Sequence, residues 1–142
     1  MRTYPSEDGQ AALVSLERGE DLVEGLHRAL ADLGLRAGTV QVIGALERAT
    51  VGYWDPEAKR YRTTTTGHVE ICAGLGNVSI RDGRPWIHLH LALSGPDGTC
   101  VGGHALEGCT AYVVEASFRA LGGAPPVRRE DPGRGLKVWP GS

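Results

Sequence analysis

The sequence has no excess of charge of either sign, no paired cysteines and no long apolar run, and each absence excludes a class of protein. Fifteen lysines and arginines stand against 17 aspartates and glutamates, a formal net charge of −2. Such a chain offers no general attraction for a nucleic-acid backbone or an anionic membrane, so contact with either must be local. Cys72, Cys100 and Cys109 are odd in number and form no Cys-x-x-Cys pair, which excludes a disulfide framework and a zinc ribbon and reads as three buried thiols. The opening Met1-Arg2-Thr3-Tyr4-Pro5-Ser6-Glu7-Asp8 lacks the apolar centre of a secretion signal, and no later run approaches bilayer length. The expectation is a soluble, cytoplasmic protein with no membrane partner. A repeat, a phosphate-cradling glycine loop and a nucleophile elbow are also missing.

The 142 residues, 41% of them hydrophobic, suffice for one domain with a core. Twenty-one glycines and several short alternating segments predict a strand-rich chain: Ala11 to Leu16, Thr39 to Ala45, Arg48 to Trp54, Tyr61 to Thr66, Val69 to Leu75, Asn77 to Arg81 and, later, Cys109 to Phe118. One helix interrupts them. Leu22, Leu26, Leu30 and Leu33 recur at helical spacing, Glu20 and Asp21 suit its positive end, and Gly34 sits where a helix stops. The segment from Gly122 to Ser142, with Pro125, Pro126, Pro132 and Pro140, reads as an extended or mobile tail whose Arg128, Arg129, Arg134 and Lys137 are solvated loop charges. The division is therefore 1–121 for the domain and 122–142 for the tail.

Three of the five histidines fall together. In Pro85-Trp86-Ile87-His88-Leu89-His90-Leu91-Ala92-Leu93, the odd-numbered residues form an apolar face, so His88 and His90 project from the other face about 7 Å apart along one strand. Ser94-Gly95-Pro96-Asp97-Gly98 is turn chemistry. A loop of Pro96, Asp97 and Gly98 makes paired residue numbers sum to 194 and sets His104 opposite His90, where Cβ atoms lie about 5 Å apart. Gly102 and Gly103 mark either a bulge, which would turn His104 away, or a close backbone approach. With the register kept, three imidazoles converge as a tetrahedral cation requires. Zinc is the first choice, with nickel, iron or copper compatible with the same ligands, and three histidines with one open position resemble catalytic more than structural zinc sites.

Taken with Arg18-Gly19-Glu20-Asp21-Leu22 before the helix and Ile43-Gly44-Ala45-Leu46 after it, the run from His88-x-His90 through Gly95-Pro96-Asp97-Gly98 to Gly102-Gly103-His104-x-Leu106-x-Gly108 resembles the PPC (plants and prokaryotes conserved) domain in its bare prokaryotic, three-histidine form. The resemblance covers Ala11 to Leu121. It implies an α+β fold, a largely antiparallel sheet flanked by one main helix, a homotrimer, and a metal site at His88, His90 and His104. Plant members resemble DNA-binding proteins through a separate AT-hook. The nearest segment here, Arg81-Asp82-Gly83-Arg84-Pro85, has an acidic residue inside it and reads as a hairpin turn. A cupin barrel shares the His-x-His strand, but its glutamate four residues on is Ser94 here.

Glu107, His68 and Glu70 are further candidates to orient an imidazole or act as a base. Three functions remain open from sequence: a metal-binding, DNA-associated or regulatory module; a metal-dependent enzyme acting on a small molecule; and a structural trimer tied by its metal.

Overall fold

Asp21 begins the helix by chemistry local to the sequence. Its carboxylate accepts hydrogen bonds from the Val23 and Glu24 amides at 2.9 and 3.1 Å, filling donors that the first helical turn leaves bare. The same side chain accepts from the Gly108 amide at 2.8 Å, so the cap also ties the helix to the loop after the histidine hairpin. At the other end Gly34 adopts φ 64°, the left-handed conformation that ends helices. Asp21→Ala is expected to cost about 1–2 kcal/mol, measured as a lower denaturation midpoint; an unchanged midpoint would refute the capping role.

The computed structural model describes residues 1–141. In chain order the elements are β1 (Arg2–Pro5), β2 (Ala11–Leu16), α1 (Leu22–Leu33), β3 (Gly38–Asp55), β4 (Arg60–Thr66), β5 (Val69–Arg81), β6 (Arg84–Ser94), β7 (Cys100–Ala105), β8 (Thr110–Ala120), β9 (Arg129–Asp131) and β10 (Leu136–Val138). The main sheet runs β1-β2-β8-β3-β5-β6-β7, with β4 also on β3, and its pairings are antiparallel. This is the expected α+β fold with one flanking helix.

The strands expected at Thr39 to Ala45 and Arg48 to Trp54 are one continuous strand, because irregularities between Ala45 and Arg48 absorb the break in alternation. Bulges of this kind bend a strand. The first half of β3 pairs with β5 and β8, while its second half pairs with β4 and touches β7 at Val51↔Ala105 and Gly52↔His104. The set β3-β5-β6-β7 thereby closes on itself. Val69 to Arg81 is likewise one strand, Gly76 remaining paired to Leu89.

Helix α1 buries Leu22, Leu26, Ala29 and Leu30 against the sheet, and the odd-numbered face of β6 supplies Ile87, Leu89, Leu91 and Leu93 to the same core. Burying each such leucine or isoleucine contributes about 1.5–3 kcal/mol. Anchoring this face leaves His88 and His90 no choice of side.

Two expectations are corrected. Of the three thiols only Cys109 is buried, its sulfur 3.4 Å from the backbone nitrogen and oxygen of Thr50. Cys72 sits at the irregularity between Ile71 and Ala73 and Cys100 opens β7 after a turn, and both are exposed. The segment read as an extended tail is ordered: β9 and β10 form a hairpin, and Pro126 and Arg128 hydrogen-bond the backbone of Ile80 at 2.8 Å each. Beyond Val78, β5 no longer pairs with β3, and the tail uses that freed backbone edge. Arg81 to Arg84 is a two-residue turn, with Asp82 and Gly83 at φ 52° and 77°, the geometry of a hairpin and not of a minor-groove arm. No described helix is long and apolar enough to cross a membrane.

Candidate metal centre

The histidine hairpin has the register of residue numbers summing to 194: His90 faces His104, Leu91 faces Gly103 and Leu93 faces Val101 without interruption. The glycine pair is a close approach and not a bulge. A Cβ on Gly103 would lie 2.7 Å from the Gly52 carbonyl oxygen, and one on Gly102 would lie 2.7 Å from that of Leu91. Glycine at these points lets β7 sit against both β3 and β6, which carries His104 into the closed end of the sheet.

His88, His90 and His104 converge. The Nε2 atoms of His88 and His90 are 3.2 Å apart, ring centroids are separated by 5.0 to 5.5 Å, and one candidate ligand atom from each residue lies within 4.8 Å of the others. Nitrogens bound to a tetrahedral ion at 2.0–2.1 Å stand about 3.4 Å apart, so one pair is already near that spacing and the third candidate nitrogen lies within 4.8 Å of both. His104 Nδ1 is buried with no hydrogen-bond partner among the described residues. Buried polar atoms are rarely left so, and an all-imidazole cluster with an orphan nitrogen fits a borderline-soft cation.

Burial and neighbouring charge keep His88 and His104 uncharged. Desolvation first, then Arg128 and His90, lower His88 to a pKa of about 4. Desolvation, then His88, His90, Arg81 and Arg128, lower His104 to about 4. Both rings thus present lone pairs at neutral pH. In the unfolded chain they titrate near 6.5, so between 6.5 and 4 the unfolded state binds more protons than the folded one. The stability contributed by the neutral rings is complete above 6.5 and is lost as pH falls through 4. Metal-stripped protein is accordingly expected to show a falling urea midpoint from pH 7 to 4.5, a slope blunted in a His88→Gln, His104→Gln double variant. A flat wild-type profile would contradict it.

Residues from other elements complete the surroundings. Tyr61 on β4 stacks on His104 at 5.1 Å and 10° between planes, in space left by Gly52, whose added Cβ would meet the Tyr61 ring at 2.7 Å. Trp86 stacks on His88 and, more distantly, His104. Arg128 reaches in from the tail, donating to Ser79 Oγ and Asn77 Oδ1 at 3.0 Å, to the Lys137 carbonyl at 3.3 Å and to His88 Nδ1 at 3.4 Å. Guanidinium carries donors only, so this last contact leaves the His88 proton on Nε2. A cation held through Nε2 requires that proton to move to Nδ1 and the Arg128 contact to loosen.

Of the other sequence candidates, Glu107 lines the cavity beside the cluster, while His68 packs edge-on against Tyr112 at 5.0 Å and neither it nor Glu70 joins the three histidines. Three of the four tail cations are not free loop charges: Arg128 enters the site, Arg134 pairs with Asp131 and Lys137 with Asp82, while Arg129 is exposed as expected. Sequence reasoning did not find Tyr61, Arg81 or Arg128, and had Trp86 only as a member of the alternation. The one available signal for Arg128 was its place in a tail otherwise rich in turn residues.

The Plants and Prokaryotes Conserved domain model matches residues 4–121, and the chain belongs to that family. Three solved structures share the fold. A metal-containing protein from Archaeoglobus fulgidus is 32% identical, with 97% of this chain and 96% of that one covered and a TM-score of 0.86. A plant- and prokaryote-conserved protein from Pyrococcus horikoshii is 27% identical over 97% and 94%, also at 0.86. A Bacteroides thetaiotaomicron protein, named as a candidate for DNA binding, is 23% identical over 96% of each chain at 0.87. No curated protein matches the sequence.

Proposed function

We propose that the chain is a metal-binding PPC-domain protein in which His88, His90 and His104 hold one divalent transition-metal ion, zinc first, with the ion's open side turned to a small-molecule cavity. The observation that carries this reading is the convergence of three imidazoles, one with an orphan nitrogen, on a single point. The metal-containing Archaeoglobus relative supports it. Tyr61 and Trp86 hold the His104 and His88 rings by stacking, and the described part of the tail, residues 122–141, acts as a strap on the 1–121 domain that roofs the cavity. Bound there, a divalent ion supplies Lewis acidity to an oxygen-bearing ligand. Sensing or transforming a small molecule is the function this arrangement serves, in the cytoplasm, and a homotrimer is the assembly the family resemblance implies.

A DNA-associated role is the second reading, favoured by the name of the Bacteroides relative. Less speaks for it here: a charge of −2, a hairpin where an AT-hook would be, and three of the four tail cations tied to acids or to the site. Calorimetric titration of tag-free, metal-stripped protein with zinc tests the first reading, and electrophoresis with A·T-rich duplex at moderate salt tests the second. The expected outcome is one zinc per chain and no shifted duplex. A retarded duplex without zinc uptake would reverse the order.

A further inference from the structure

The cavity beside the histidines is lined by positive charge that the described residues leave without a close acid partner. It encloses about 450 Å³, the size of a small-molecule site, and its walls carry the rings of Trp54, Tyr61 and Trp86. The Arg81 and Arg128 guanidinium groups lie over the Trp86 ring at 4.8 and 4.9 Å. Neither is neutralised closely: Arg81 Nε stands 3.8 Å from Asp82, and the hydrogen bonds of Arg128 run to neutral acceptors. The indole N–H of Trp54, a donor only, is buried without an acceptor among the described residues, and Trp54 lines the cavity. Of the acids in the wall, Glu130 lies 3.5 Å from Lys137, and Glu107 is the other.

We infer that this cavity binds a small planar carboxylate, an aromatic or heteroaromatic acid, with its carboxylate toward Arg81 and the Trp54 N–H and its ring against the aromatic walls. A planar carboxylate matches a guanidinium fork, and most N–H groups of Arg128 are already engaged, which leaves Arg81 as the fork. The three aromatic walls call for an apolar, flat body that inorganic phosphate lacks. The inference deepens the metal-centre reading, on which it rests for His88 and His104 as part of the same cavity.

The test is calorimetric titration of 2-naphthoate into zinc-loaded and metal-stripped protein, with 2-naphthamide and inorganic phosphate as controls and zinc content measured on each sample. The expected result is one naphthoate per chain, at most feeble binding of amide and phosphate, and affinity weakened about tenfold or more in Arg81→Gln and in Trp54→Phe, each losing one charge-assisted or buried bond. Melting curves establish that both variants are folded. Equal binding of acid and amide, binding of phosphate in preference to naphthoate, an unaffected Arg81→Gln variant, or no binding by either form would overturn the inference. The metal reading is judged separately. Arg81-dependent naphthoate binding by protein that takes up no zinc upholds the carboxylate site and removes the metal, whereas zinc uptake without naphthoate binding does the reverse.

Discussion

Replacing His90 by Ala is expected to abolish stoichiometric zinc binding and, with it, the stabilisation that zinc confers. A ligand that binds only the folded state adds RT ln(1 + [L]/Kd), about 4 kcal/mol at a thousand times Kd, which for a domain of this size raises the melting temperature by about 10 °C. Wild-type protein should show that rise on zinc addition, and the variant should show almost none. His90 is the cleanest of the three to remove. It is the exposed member of the cluster and the one outside the cavity lining, so its truncation leaves little void and the metal-free melting temperature should stay near that of the metal-stripped wild type. A variant that retains the zinc-dependent rise would show that the ion sits elsewhere.

The second large effect is expected from Gly76→Ala, a change of one methyl group at a residue that touches no ligand. An added Cβ would lie 2.3 Å from the His88 carbonyl oxygen and 2.9 Å from Val40 Cγ1. The oxygen belongs to β6, which is paired to β5 from Arg84 through Ser94, so the strand cannot step aside without breaking its ladder. Overpacking of this kind costs about 1–3 kcal/mol or more. The displaced strand carries His88, so zinc affinity should fall together with stability. Gly67→Ala is the control, since nothing lies within 4 Å of its added Cβ. Thermal melts with and without zinc check both effects, and a Gly76→Ala protein as stable as the control would show that the two strands are not held as close as described.

The histidine hairpin was legible because everything that fixes it is local. Alternation puts His88 and His90 on one face, and the Pro96-Asp97-Gly98 turn fixes the register that brings His104 opposite His90. The helix was legible for the same reason, through its leucine spacing, Asp21 and Gly34. Less legible was whatever depends on β3 bending through its irregularities to pair with four strands. That bend brings β4 and Tyr61 against His104, and no short-range pattern in Tyr61 to Thr66 announces it. Arg128 was hidden more deeply. Proline and glycine around it suggest freedom, yet the bare edge of β5 at Ile80 recruits the segment into backbone hydrogen bonds, and the guanidinium then falls between Trp86 and Trp139. Such edge capture depends on where β3 stops covering β5. The exposed thiols have a similar origin, since an irregularity at Cys72 and a turn at Cys100 turn out side chains that composition assigns to the interior.

The most direct test of the central claim is the metal content of wild-type protein purified without an affinity tag, read by plasma emission spectroscopy beside the His88→Ala, His90→Ala and His104→Ala variants. The account predicts close to one equivalent of a transition metal per chain in the wild type and almost none in any variant. Full metal content in the variants, or a wild type that stays metal-free even after incubation with excess zinc, would contradict it.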